Sequence, residues 1–83
     1  MIECYIQCFG ALREINDQGV IIHKTNFPCT VADIKEELSS VVPEAFRGLL
    51  KVCALSQGDR LMNEQDQLVT GDELSLLPPV NGG

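Results

Sequence analysis

The chain has 83 residues, 45% of them hydrophobic, and its 12 acidic side chains outnumber 6 basic ones for a formal net charge of −6. That length implies one small domain with a modest core, and no apolar run approaches the ~20 residues that a membrane span needs. The charge balance, with no basic stripe, argues against a nucleic-acid partner; it fits a partner with a positively charged face, but taken alone it favours the plainer reading that acidity keeps a small domain soluble. Met1-Ile2 runs straight into Glu3, with no basic stretch ahead of an apolar one, so no secretory leader is expected and a cytoplasmic location is.

Ile2 to Phe9 alternate as a half-buried strand does. Ile2, Cys4, Ile6 and Cys8 form the expected core side, and Glu3, Tyr5, Gln7 and Phe9 the outer side. Gly10 breaks the strand, Ala11 to Ile15 suits a helical turn, and Asn16 to Gly19 reads as a loop. Val20 to Lys24 is a second strand, antiparallel to the first, which places the lone His23 on the sheet surface. Thr30 opens a helix, with Asp33 three residues on completing a capping pattern. Val31, Ile34 and Leu38 then give it one apolar stripe. Pro43 ends this helix or starts a short second one through Glu44 to Arg47. Lys51 to Leu55 is the third strand candidate, Ser56 to Asp59 a turn that looks slightly long, and Arg60 to Met62 a short return strand. After a turn at Thr70-Gly71-Asp72, Glu73 to Leu77 forms the last strand, with Leu74 and Leu76 inward. Pro78-Pro79 stops it, since neither residue can donate to a ladder.

The order strand, strand, helix, strand, short strand, strand is α+β. It is the order of the β-grasp fold, a mixed sheet with one main helix across one face and with first and last strands parallel neighbours. Residues 1–77 are the expected domain and residues 78–83 an extended tail.

Few side chains suggest chemistry. Cys4, Cys8, Cys29 and Cys53 contain no Cys-x-x-Cys pair and read as buried free thiols. Cys4 and Cys8 sit ~13 Å apart along an extended strand, too far for a bridge. Glu64, Asp66, Asp72 and Glu73 fit no calcium loop and read as a solvated acidic face. No glycine-rich loop opens a helix, so no bound nucleotide, cofactor or metal is expected. The tail is different. Gly82 and Gly83 carry no side chains to obstruct a narrow channel, while Pro78 and Pro79 hold the preceding segment extended, so the end projects from the body.

The segment from Gly71-Asp72-Glu73 through Leu74-Ser75-Leu76-Leu77 to Pro78-Pro79-Val80-Asn81-Gly82-Gly83 resembles the C-terminus of MoaD-type proteins, the small subunit of molybdopterin synthase within the ThiS/MoaD ubiquitin-like sulfur carriers. Phe9 to Glu14 and Thr30 to Ile34 are similar to the family's segment after strand one and its helix start. The resemblance implies that Gly83 is the reactive group. An E1-like adenylyltransferase uses ATP to adenylate it, a sulfur donor protein converts it to a thiocarboxylate, and the large catalytic subunit, in a heterotetramer, takes the sulfur for precursor Z. Gly82 supplies clearance, and catalytic side chains come from the partner, so the chain alone is no enzyme. A carrier of another sulfur pathway, such as thiamine, and a modifier conjugated to lysine through Gly83 are the alternatives; an inert interaction module is a third. By strand parity Phe9 and Leu77 share the outer face beside the tail root, with Leu61 or Met62 extending the patch and Arg13 on its rim. Together with Pro78, Pro79, Val80 and Asn81 they are the expected partner-binding residues.

Overall fold

The computed structural model describes residues 1–79. The chain runs β1 (Ile2–Cys8), a 3-10 turn (Gly10–Ile15), β2 (Val20–Thr25), β3 (Cys29–Thr30), α1 (Val31–Ser39), α2 (Glu44–Val52), β4 (Ala54–Gln57), β5 (Arg60–Met62), β6 (Gln67–Leu68) and β7 (Leu74–Leu77). Five strands form one mixed sheet in the order β2-β1-β7-β4-β5, and β3 pairs with β6 in a separate two-stranded ribbon. β1 and β7 are parallel, in the register Ile6↔Leu74, Gln7↔Ser75 and Cys8↔Leu76. The other neighbours are antiparallel. This is the α+β, β-grasp arrangement, with the first and last strands side by side at the centre.

Alternation decides the faces. Cys4, Ile6 and Cys8 of β1, Ile21 of β2, Leu74 and Leu76 of β7, Leu55 of β4 and Met62 of β5 all point to one side and are buried. Val31, Ile34 and Leu38 of α1 and Leu50 of α2 meet them there. The helix start is a complete capping box: Asp33 N–H donates to Thr30 Oγ1 at 3.1 Å, and Thr30 N–H donates to Asp33 Oδ2 at 3.2 Å. The four thiols are free, and all but the half-buried Cys29 are buried.

Several sequence expectations are corrected. The stretch Lys51 to Leu55 is not a strand. α2 extends to Val52, and β4 begins only at Ala54. Phe46, Leu49 and Leu50, at i, i+3 and i+4, give α2 an apolar side that packs on the core and carries the helix past Arg47. Lys35 anchors its end, with Nζ donating to the carbonyls of Lys51 (3.1 Å) and Cys53 (2.8 Å) and pairing with Glu64 (3.4 Å). Met62 faces the core rather than the outer patch, because its partner across the hairpin is the inward Leu55. The turn at Gly58-Asp59 is a tight two-residue connection between paired Gln57 and Arg60. His23 is not on the open surface. It pairs with the inward Cys4 and so projects toward α1, where its Nε2 lies 2.8 Å from Glu37 Oε1. β1 stops at Cys8, ahead of the left-handed Gly10 (φ 62°), and β7 starts at Leu74 because Glu73 adopts a left-handed φ of 54°.

Candidate functional site

The side of the sheet away from the helices is uncovered among the described residues, and register builds it row by row. Lys24, Ile22 and Val20 of β2 stand beside Glu3, Tyr5 and Gln7 of β1. Gln7 neighbours Ser75 of β7, Ser75 neighbours Ser56 of β4, and Ser56 neighbours Leu61 of β5. One step toward the tail, Leu77 neighbours Ala54. On its other side, Phe9 continues β1 past the last paired residue, and its amide donates to the Leu76 carbonyl at 3.2 Å.

This face has two ends of different character. At the tail end lie Phe9 (40% exposed), half-buried Leu77 and Ala54, and, diagonally across, Leu61 (63% exposed). These four side chains are the candidate contact site of the open face. At the opposite end, Tyr5, Gln7, Val20, Gly58, Asp59, Glu73, Leu74 and Ser75 line an open groove of about 380 Å³. Its acids, with Glu3 beyond it, carry part of the net charge. Tyr5 Oη donates to Glu3 Oε1 at 3.1 Å, which holds the phenol toward that acidic end. The two ends together suit a partner with an apolar centre and a basic margin.

The strand that ends at the tail is fixed on every side. Gln57 Nε2 donates to the carbonyls of Thr70 and Asp72, both at 3.0 Å, and Gly58 N–H donates to the Glu73 carbonyl at 3.0 Å. These bonds set the entry into β7, and the ladders to β1 and β4 hold its length. Pro78 is half-buried and Pro79 exposed. Pro78 packs over Gly10, whose φ is +62°. A Cβ on Gly10 would stand 2.5 Å from Pro78 Cγ, far inside the contact distance of two non-bonded carbons.

Of the residues singled out from the sequence, Phe9 and Leu77 thus stand side by side at the tail end of the outer face, Leu61 lies one row back on the edge strand, and Pro78 and Pro79 follow Leu77 out of the sheet with Pro78 over Gly10. Arg13 is exposed, and its stem lies across Gly19, where an added Cβ would meet Arg13 Cγ at 2.6 Å. Gly19 accepts from Cys8 N–H at 2.8 Å, so Arg13 sits by the end of β1 on the β2 side of Phe9. Val80, Asn81, Gly82 and Gly83 lie outside the described residues. Sequence reasoning missed Ala54 and Gly10. The first was hidden by the misplaced third strand; the second was read only as a strand breaker, although a glycine two positions past an inward Cys8 was a signal for close approach.

The remaining chemistry is inert. Among the described residues no group of three or more His, Cys, Asp or Glu side chains could hold a metal ion. Burial pushes the Cys8 thiol up to about 11 and raises those of Cys4, Cys29 and Cys53 as well, so none is a ready nucleophile. Hydrogen bonds from His23 and from Thr25 Oγ1 (2.7 Å) hold Glu37 below the usual carboxylate range, but this cluster lies on the helix side of the sheet. Among the described residues no helix is long and apolar enough to cross a membrane.

Residues 6–83 match the ThiS family. No curated protein sequence matches the chain. Among solved structures, it is similar to SAMP1 from Haloferax volcanii, with a TM-score of 0.73 and 20% identity over 98% of this chain and 99% of that one. It is also similar to a Pyrococcus furiosus protein provisionally named molybdopterin converting factor, subunit 1, with a TM-score of 0.75 and 17% identity over 96% and 100% of the two chains.

Proposed function

The chain belongs to the ThiS family of ubiquitin-like β-grasp proteins, and from that premise we propose that it is the sulfur carrier of molybdenum cofactor biosynthesis, acting through the carboxylate of Gly83. The observation that carries this reading is the join between fold and tail. A centrally held strand ends at Leu77 beside an apolar patch, and Pro78-Pro79-Val80-Asn81-Gly82-Gly83 follows directly. A partner that grips Phe9, Leu61 and Leu77 thereby also controls where the diglycine is threaded.

The chemistry belongs to the terminus. A carboxylate is a poor acyl donor. An E1-like adenylyltransferase transfers AMP from ATP to Gly83, with pyrophosphate leaving. A sulfur donor protein then attacks with a persulfide sulfur, the C–S bond forms and AMP departs; a second thiol of the donor cleaves the resulting acyl disulfide, is itself taken up into a donor disulfide, and leaves the thiocarboxylate on Gly83. In the large catalytic subunit that sulfur passes to precursor Z, and hydrolysis restores the Gly83 carboxylate. This chain's residues dock and present the acyl group, while proton transfers fall to the partners. Binding energy from the remote patch is what positions the reacting carbon.

The test is intact mass after incubation with the activating enzyme, ATP and a sulfur donor. The expected gain is about 16 Da, the exchange of one oxygen for sulfur in an activated carboxylate, followed by its loss when the large subunit and precursor Z are added. A chain lacking Gly82-Gly83 should fold normally and gain nothing. Attachment to lysines of other proteins, with no persistent thiocarboxylate, would replace this reading with that of a protein modifier.

A further inference from the structure

We propose that Gly10 is a positioning residue for the tail: its missing side chain forms the seat on which the Pro78 ring rests, and that seat sets the direction in which the chain leaves the sheet. The inference rests on the carrier reading for its functional consequence, but its geometry stands alone. Three contacts meet at this corner. Phe9 N–H donates to the Leu76 carbonyl at 3.2 Å, one residue beyond the β1–β7 ladder. Leu77 is tied on its other side to Ala54. Gly10, at φ +62°, then turns the chain away at the point where Pro78 crosses it.

A Cβ at Gly10 would come within 2.5 Å of Pro78 Cγ, 3.4 Å of Cδ and 3.6 Å of Cβ. The conflict is thus with the proline ring and not with its backbone. Pro78 fixes its own φ, so the ring cannot rotate aside alone. Any displacement is passed to Pro79 and on toward the terminus. A change of direction at residue 78 is handed to every residue that follows it, and an angstrom of error at a reacting carbon is enough to cost orders of magnitude in rate. Leu61 and Leu77 lie within paired strands, and Phe9 is held by its own bond to the Leu76 carbonyl. Docking and presentation are therefore separable in this molecule, and Gly10 governs the second.

The experiment is a double-mutant cycle of Gly10→Ala with Pro78→Ala, read in two ways. Thiocarboxylate formation is followed against carrier concentration. Gly10→Ala is expected to lower kcat by about tenfold or more, with KM changed by less than about twofold. In the Pro78→Ala background, where Cγ and Cδ are gone, the same substitution should lower kcat by no more than about twofold. The strain of alanine at positive φ lowers the melting temperature in both backgrounds, so the melting temperature does not follow the rate. The second reading needs no activity: a nitroxide-bearing residue at position 81 broadens amides of the open face. Its pattern should change in Gly10→Ala and return to that of Pro78→Ala alone in the double mutant. An unchanged pattern in Gly10→Ala, or equal kcat losses in both backgrounds, overturns the assignment. A wild-type chain that gains no sulfur sinks the carrier reading, while the broadening pattern still decides the role of Gly10.

Discussion

The amide of Phe9 donates to the carbonyl of Leu76 across 3.2 Å, one step past the last paired residues of the two central strands. This bond carries the β1–β7 register out to the edge of the sheet and places the outward Phe9 beside Leu77. Their surface sits at the root of the tail, where a partner must hold on. Phe9→Ala and Leu77→Glu are each expected to weaken binding to the large subunit, the activating enzyme or both by at least about tenfold, or roughly 1.4 kcal/mol. Calorimetric titration of either mutant checks this, with circular dichroism to show an intact fold. Unchanged affinity for both partners moves the docking surface elsewhere.

Lys35 directs its ammonium at the carbonyls at the end of α2. Lys35→Met keeps the stem but leaves those carbonyls without their donor. A loss of about 1–2 kcal/mol is expected in urea unfolding, the range for hydrogen bonds to a charged group. Glu64→Gln, which removes only the exposed 3.4 Å partner, should lose much less. Equal losses in the two variants would mean that the ion pair, and not the cap, holds the helix end.

The capping box at α1 gives a sharper local test. Thr30→Ala removes the acceptor for Asp33 N–H and should cost about 1 kcal/mol. Thr30→Ser should retain most of the stability, since only the hydroxyl is needed.

The buried thiols make the fold sensitive to alkali. Burial lifts Cys8 from 9.0 to about 11. Between those values the unfolded chain ionises at this residue and the folded chain does not. The contribution of this thiol is therefore full below about pH 9 and falls as pH rises toward 11, by at most roughly 1.4 kcal/mol per pH unit. Melting under reducing conditions should show this slope. Cys8→Ala should make it shallower, whatever that substitution does to stability at pH 7.

Glu37 works at the acid end. Its lowered value, caused first by the His23 hydrogen bond and then by Thr25, means that its contribution is present at neutral pH and lost as pH falls through the folded-state value. Glu37→Gln should therefore destabilise at pH 7 and progressively less as pH falls below the usual carboxylate range. A penalty that stays constant as the pH is lowered would show that the contacts are insensitive to its charge.

Much of this fold could be read from alternation alone. Cys4, Ile6 and Cys8, and later Leu74 and Leu76, announce two strands with one buried side each, and all five are buried. What failed was the boundary between α2 and β4. Lys51-Val52-Cys53-Ala54-Leu55 is apolar enough for a strand, and its first two residues become helical only because Phe46, Leu49 and Leu50 pack on the core behind them. The two-residue ribbon of β3 and β6 leaves no periodic trace. Met62 was recoverable, since a two-residue turn at Gly58-Asp59 forces it to the side of Leu55. The sequence of the tail was visible by resemblance, but the seat beneath Pro78 required coordinates, because it is made by an atom that Gly10 does not have.

The placement of β7 between β1 and β4 has a consequence for how the protein is made and unmade. The strand at the middle of the sheet is the last in sequence, and it joins partners as distant as Cys8 and Leu76. Loops of that size close late and slowly. Until they do, the chain holds a β2-β1 hairpin and a β4-β5 hairpin with no shared ladder. The edge strands β2 and β5 are each held by one ladder and can open alone, whereas β7 is held by two, so the amides of Leu74 to Leu76 should exchange with solvent only through global unfolding. On the function proposed above, an immature or damaged chain lacks the assembled open face, and partners would recognise it only as a finished whole.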